Sequence, residues 1–103
     1  MKSKLIIAAL TITLCNQTWA AITFGTPDCG QWINETFRKE ANKTWLLGFM
    51  SGLNANRDFA NALGKINSAN QIFLWMDNYC KANPPKTAYD GGWQLMFELE
   101  SKK

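Results

Sequence analysis

Two lysines, Lys2 and Lys4, stand just before an apolar stretch from Leu5 to Leu14, and this arrangement constrains the rest of the chain more than any other feature. A short apolar run behind a positive N-terminus has the form of a secretory signal. It is too short to span a bilayer as a helix, and Thr18-Trp19-Ala20 supplies a small-residue cleavage pattern before Ala21. The expected organisation is therefore a signal peptide over residues 1–20 and one working domain over residues 21–103, exported to the periplasm. Cys15 follows the apolar run where a lipidated cysteine would stand. Leu14, however, occupies a position that normally holds Gly, Ala or Ser, which favours a cleaved, soluble product over a lipoprotein.

Removing the leader changes the composition that matters. The whole chain has 103 residues, eleven Lys+Arg, eight Asp+Glu and a formal charge of +3. Without Lys2 and Lys4, the remaining 83 residues carry nine basic and eight acidic side chains, a net charge of +1. No cluster of five Lys or Arg is left, so nucleic acid and polybasic membrane binding lose their support, and no stable membrane insertion is expected. The chain contains no His, which removes the usual metal ligand and the usual activator of Ser or Thr nucleophiles. No cofactor, metal or catalytic residue is expected, and the protein reads as a non-enzyme.

The leader also carries away Cys15 and leaves an even pair, Cys29 and Cys80. In an oxidising compartment, two cysteines on a small domain are most simply one disulfide. A bridge closing about fifty residues restricts the unfolded chain by about 4 kcal/mol in the loop-entropy picture, a large supplement where size limits the core. Two reactive thiols are the rival reading, and the sequence has no C-x-x-C pair to support it.

The mature segment reads as all-α, a small bundle of three to four helices tied by that disulfide. Gly25 and Pro27 mark an extended arm, and Asp28 is placed to cap a first helix carrying Trp32, Ile33 and Phe37. The polar run from Arg38 to Asn42 either extends or briefly breaks it. From about Asn42 to Ala55, Trp45, Leu46, Phe49, Met50 and Leu53 recur at helical spacing, and Gly48 and Gly52 beside them suggest close approach of a neighbouring helix. Asn54 to Asn67 reads as a loop with one short helix. Ser68-Ala69-Asn70-Gln71 matches a capping box that opens a helix to about Ala82, with Ile72, Phe73, Trp75, Met76, Tyr79 and Cys80 as its apolar stripe. Asn83-Pro84-Pro85 ends it, and Thr87-Ala88-Tyr89-Asp90 caps a last helix with Tyr89, Trp93, Met96 and Phe97 on one face. Cys29 then ties the first helix to the third, and the four mature tryptophans are expected to be buried against one another.

Candidate sites are few. Trp32, Trp45, Trp75 and Trp93 raise the idea of an aromatic platform, but their helical spacing favours core. Asp77, Glu98 and Glu100 lack the clustering that acid–base or metal chemistry needs and are expected to be solvated surface. Asn34-Glu35-Thr36 and Asn42-Lys43-Thr44 match glycosylation sequons, read as chance matches behind a bacterial-looking leader. Gly91-Gly92 fits a hinge or a close contact with a partner, with helix punctuation and a flexible starting turn as the plain alternative. The segment Asn83, Pro84, Pro85, Lys86 and Tyr89 is the candidate partner-binding loop, with a plain connection as its alternative.

Three stretches carry a family resemblance: Asp28-Cys29, the run Trp45-Leu46-Leu47-Gly48-Phe49-Met50-Ser51-Gly52-Leu53-Asn54, and Tyr79-Cys80-Lys81-Ala82-Asn83-Pro84. In these the chain resembles the small exported bacterial proteins of the HdeA/HdeB type, the periplasmic acid-stress chaperones. The Gly48/Gly52 segment and the Gln71 to Pro84 segment also look like the immunity proteins of the Tai group, which neutralise amidase toxins delivered by type VI secretion. A relative sharing only the scaffold is a third possibility. The first resemblance implies a protein that loosens in acid and holds unfolded clients. Protonating the eight carboxylates takes the mature charge from +1 towards +9, so self-repulsion opens the fold while the disulfide keeps it compact. The second implies tight, stoichiometric binding of one toxin or cell-wall enzyme through a loop or helix end. A homodimer is compatible with either.

Overall fold

A computed structural model describes residues 23–34, 36 and 38–102. The leader, the Cys15 question and Phe37 lie outside the described residues. Four helices are present among them: α1 (Cys29–Asn34), α2 (Lys39–Asn54), α3 (Ala69–Ala82) and α4 (Ala88–Ser101). Two 3-10 turns, Arg57–Phe59 and Ala62–Lys65, occupy the connection between α2 and α3. The domain is an all-α bundle closed by a disulfide between Cys29 and Cys80, whose Cα atoms are 4.8 Å apart.

Local chemistry accounts for the helix ends. The backbone N–H of Gln31 donates to Asp28 Oδ1 at 2.7 Å, and Gln31 Oε1 accepts from the N–H of Asp28 at 3.0 Å. This reciprocal cap starts α1 so that Cys29 faces inward. The Thr87–Asp90 box forms as expected, with the Asp90 N–H donating to Thr87 Oγ1 at 3.2 Å and the Thr87 N–H to Asp90 Oδ2 at 3.0 Å. Between the two caps the chain is pinned by backbone bonds, Cys29 N–H to Lys86 O and Ala88 N–H to Pro27 O, both 2.9 Å. Ser68 departs from expectation. It lies at the start of α3 with no side-chain cap, and Gln71 Oε1 accepts instead from the N–H of Asn67, one residue earlier, at 2.8 Å.

The core is a row of residues from each helix. Cys29 and Trp32 come from α1, Leu46, Met50 and Leu53 from α2, Ile72, Met76 and Cys80 from α3, and Ala88, Leu95, Met96 and Leu99 from α4, with Phe59 and Ala62 closing one end. Packing runs α1 on α3, α3 on α4 and α4 on α2, so α4 is the central element.

Two expectations are corrected. Gly48 and Gly52 are exposed, and among the described residues nothing lies within 4 Å of where a Cβ would stand on either, so no described helix approaches there. The close approach is on α4. A Cβ on Gly91 would stand 2.6 Å from Met76 Sδ and 2.9 Å from Tyr79 Cδ2, and one on Gly92 would stand 2.7 Å from Phe49 Cε2. Adjacent residues on a helix point about 100° apart, so this glycine pair lets α3 and α2 reach the α4 backbone from two sides. The tryptophans, in turn, are not packed on one another. Trp93 joins a cluster with Phe49, Phe59, Tyr89 and Phe97, Trp45 stacks on Phe49 at 5.1 Å, and Trp75 stacks on Tyr79 at 5.2 Å, while Trp32 lies apart beside Phe73.

Candidate binding groove

Polar handles on the tryptophans show how the bundle is tied at its surface. Trp32 is only 7% exposed, and its Nε1–H donates to Asp77 Oδ1 at 2.8 Å. Trp75 Nε1–H donates to Glu98 Oε2 at 3.0 Å, and Trp45 Nε1–H to the carbonyl of Phe24 at 2.8 Å. Asp77 is therefore a half-buried partner of a core indole rather than a solvated charge, and Glu98, although exposed, links α4 to α3. Glu100 is exposed as expected. Among the described residues no group of three His, Cys, Asp or Glu is placed to hold a metal ion.

The Trp32–Asp77 pair forms one wall of a groove of about 400 Å³ where the end of α1, the first turns of α2 and the middle of α3 converge. On α3, Ile72, Met76 and Cys80 point into the core, so the next stripe, Phe73, Asp77 and Lys81, faces the groove at four-residue steps. Across it, α2 supplies Lys39 and Lys43 one turn apart, and α1 supplies Ile33. Lys43 Nζ stands 5.0 Å from the centroid of Phe73, within cation–π range. Leu74, 61% exposed, and Ile33 leave apolar surface on the rim. Three lysines thus surround one carboxylate that is already engaged by an indole. Asn42, the second sequon position, is buried at the floor and donates through Nδ2 towards Gln31 O at 3.5 Å, a site no glycan can occupy.

The candidate loop lies elsewhere. Pro84, Pro85 and Lys86 are exposed, Asn83 Nδ2 donates to Tyr79 O at 2.9 Å, and Lys86 O accepts from Cys29. Tyr89 is directed away from these residues, with its ring 5.1 Å from that of Phe49. The loop residues and Tyr89 are thus divided between the disulfide end and the aromatic cluster. The sequence does not reveal the pairing of Trp32 with Asp77, which stand 45 residues apart; the four-residue spacing of Lys39 with Lys43 and of Asp77 with Lys81 is the signal it carries for the groove.

Away from the groove, the Tyr79 phenol is pushed above its ordinary value by burial and, secondarily, by the negative charge of Asp90. No described helix is long and apolar enough to cross a membrane. No family model, no curated protein and no solved structure matches the chain.

Proposed function

We propose that this protein is a non-catalytic, exported binding protein that acts on other proteins, holding apolar segments of unfolded clients in acid as an HdeA-like chaperone does. The carrying observation is apolar surface left outside the core at separate places on a domain small enough to need such residues inside. Phe24 is 86% exposed on the N-terminal arm, Leu74 stands with Ile33 at the groove, and Phe97 is 52% exposed on α4. One contiguous apolar patch would point to a single partner, and among the described residues these side chains stand at separate places instead. Acid adds to this surface. With all eight carboxylates protonated, self-repulsion among the basic side chains works against the compact state, and the disulfide keeps α1 on α3 throughout.

The test is aggregation of an acid-unfolding client, followed by light scattering near pH 2.5 and near pH 7. Stoichiometric suppression in acid alone supports the chaperone. No suppression at either pH removes it. One observation favours a second reading, inhibition of one toxin or cell-wall enzyme: the lysine-rimmed groove is already open in the folded state. That reading expects a stable complex near neutral pH and no requirement for acid.

A further inference from the structure

We propose that the groove between α1, α2 and α3 is a docking site, at neutral pH, for an acidic segment of a partner protein that sets a large apolar side chain between carboxylates. The protein-binding reading is its setting, but its test rests on the groove alone and is made away from acid, so the two fail separately.

Charge and shape point to the same occupant. Among the described residues, Lys39, Lys43 and Lys81 face the groove against one lining carboxylate, Asp77, an excess of two positive charges there. Lys43 lies 3.8 Å from Glu40, but that carboxylate is on an almost fully exposed side chain, and exposed pairs at this spacing hold a lysine weakly. The same ammonium stands over the Phe73 ring, which keeps it at the groove rather than in free solution. Between the lysines lie Phe73, Ile33 and Leu74, apolar atoms that a carboxylate alone would leave wet. A volume of about 400 Å³ takes one large side chain with its flanking backbone, not a whole helix.

A second copy of the chain is a poorer occupant. Its best-matching segment is Phe97-Glu98-Leu99-Glu100, but Leu99 is buried in the core and Glu98 accepts the indole of Trp75. Presenting that segment would require opening the donor molecule.

The experiment uses the oxidised mature protein near pH 7 and a dye-labelled peptide, acetyl-DELFED-amide, followed by fluorescence anisotropy. Saturable binding is expected, weakening as salt is raised because the contacts are at the surface. Combined Lys39→Gln, Lys43→Gln and Lys81→Gln should weaken it by about tenfold, the sum of three exposed charge pairs, whereas Arg57→Gln, at an exposed position outside the groove, should leave it unchanged. Leu74→Glu, at an exposed position, gives a second variant that should lose binding by placing like charge at the rim. The proposal is overturned if no saturable binding occurs, if the basic peptide acetyl-KKLFKK-amide binds as well, or if Leu74→Glu or the folded triple variant binds undiminished. Sedimentation showing self-association that the lysine variant abolishes would also overturn it and assign the groove to a second copy.

Discussion

Replacing Gly92 by Ala and Gly48 by Ala should move stability in opposite directions, although both glycines sit in helices and both changes add one methyl group. At Gly48 nothing lies within 4 Å of the new Cβ, so only the backbone effect remains, a gain of about 1 kcal/mol from the better helix former. At Gly92 the same gain is opposed by contact. The Cβ would stand 2.7 and 2.8 Å from Phe49 Cε2 and Cδ2 and 3.3 Å from Met50 Sδ, against ordinary carbon contacts of about 3.5–4.0 Å. The Phe49 ring would have to retreat by about 1 Å. It is held by Trp45 and Tyr89, each 5.1 Å away between centroids, and by Trp93 at 6.4 Å. Overpacking of a confined site costs about 1–3 kcal/mol, so with the helix gain of about 1 kcal/mol subtracted Gly92→Ala should lose up to about 2 kcal/mol net. The two variants share the helix gain, so they should differ by the overpacking cost alone, about 1–3 kcal/mol, in urea unfolding followed by far-ultraviolet circular dichroism. In thermal melts each kcal/mol is about 4–8 °C for a domain of this size. If Gly92→Ala proves as stable as Gly48→Ala, α4 is not the element on which α2 closes, and the packing described above is wrong.

Three further outcomes are expected. The Cys29→Ala/Cys80→Ala double variant should lose up to about 4 kcal/mol, and labelling of the unfolded, unreduced wild type should find no free thiol at these two positions; labels at Cys29 and Cys80 would refute the bridge. Asp77→Ala should cost about 1–3 kcal/mol by leaving the buried Trp32 indole N–H without its acceptor, and less in a Trp32→Phe background where that donor is gone, a coupling a double-mutant cycle reads directly. Tyr79 supplies a pH test. Its phenol holds its proton more tightly in the folded state, so its contribution is complete below about pH 10 and is lost as pH rises through the raised folded value. Between pH 7 and about pH 10.5 the urea midpoint should therefore fall further for wild type than for Tyr79→Phe.

Much of the fold is legible in the sequence because its signals are local. The Thr87–Asp90 box, the proline stop after Asn83 and the apolar spacing of Leu46, Met50 and Leu53 each act within a turn or two. The Asp28 cap was equally legible, and its reciprocal partner Gln31 stands at the spacing of a capping box. The connection between α2 and α3 was harder. Its 3-10 turns are held by the Asn54 side chain, which donates to Asn61 Oδ1 at 2.7 Å and accepts from the Leu63 N–H at 2.9 Å, and an irregular apolar pattern does not reveal such a brace. Glycines mislead for a related reason. Gly48 and Gly92 look alike in sequence, and only the element opposite each decides whether the missing side chain is a gap or a necessity. The groove is least legible, since Trp32, Lys43 and Phe73 become neighbours only once the Cys29–Cys80 bridge sets α1 against α3.

Whether acid opens this bundle while the disulfide holds α1 to α3 is read most directly from binding of an apolar dye, 8-anilinonaphthalene sulfonate, to the oxidised protein from about pH 7 down to about pH 2.5. The expected result is a rise in dye fluorescence in acid with helical circular dichroism largely retained, reversed on neutralisation. A protein that stays dye-silent with its near-ultraviolet signal intact at about pH 2.5 does not open in acid, and the chaperone reading then fails.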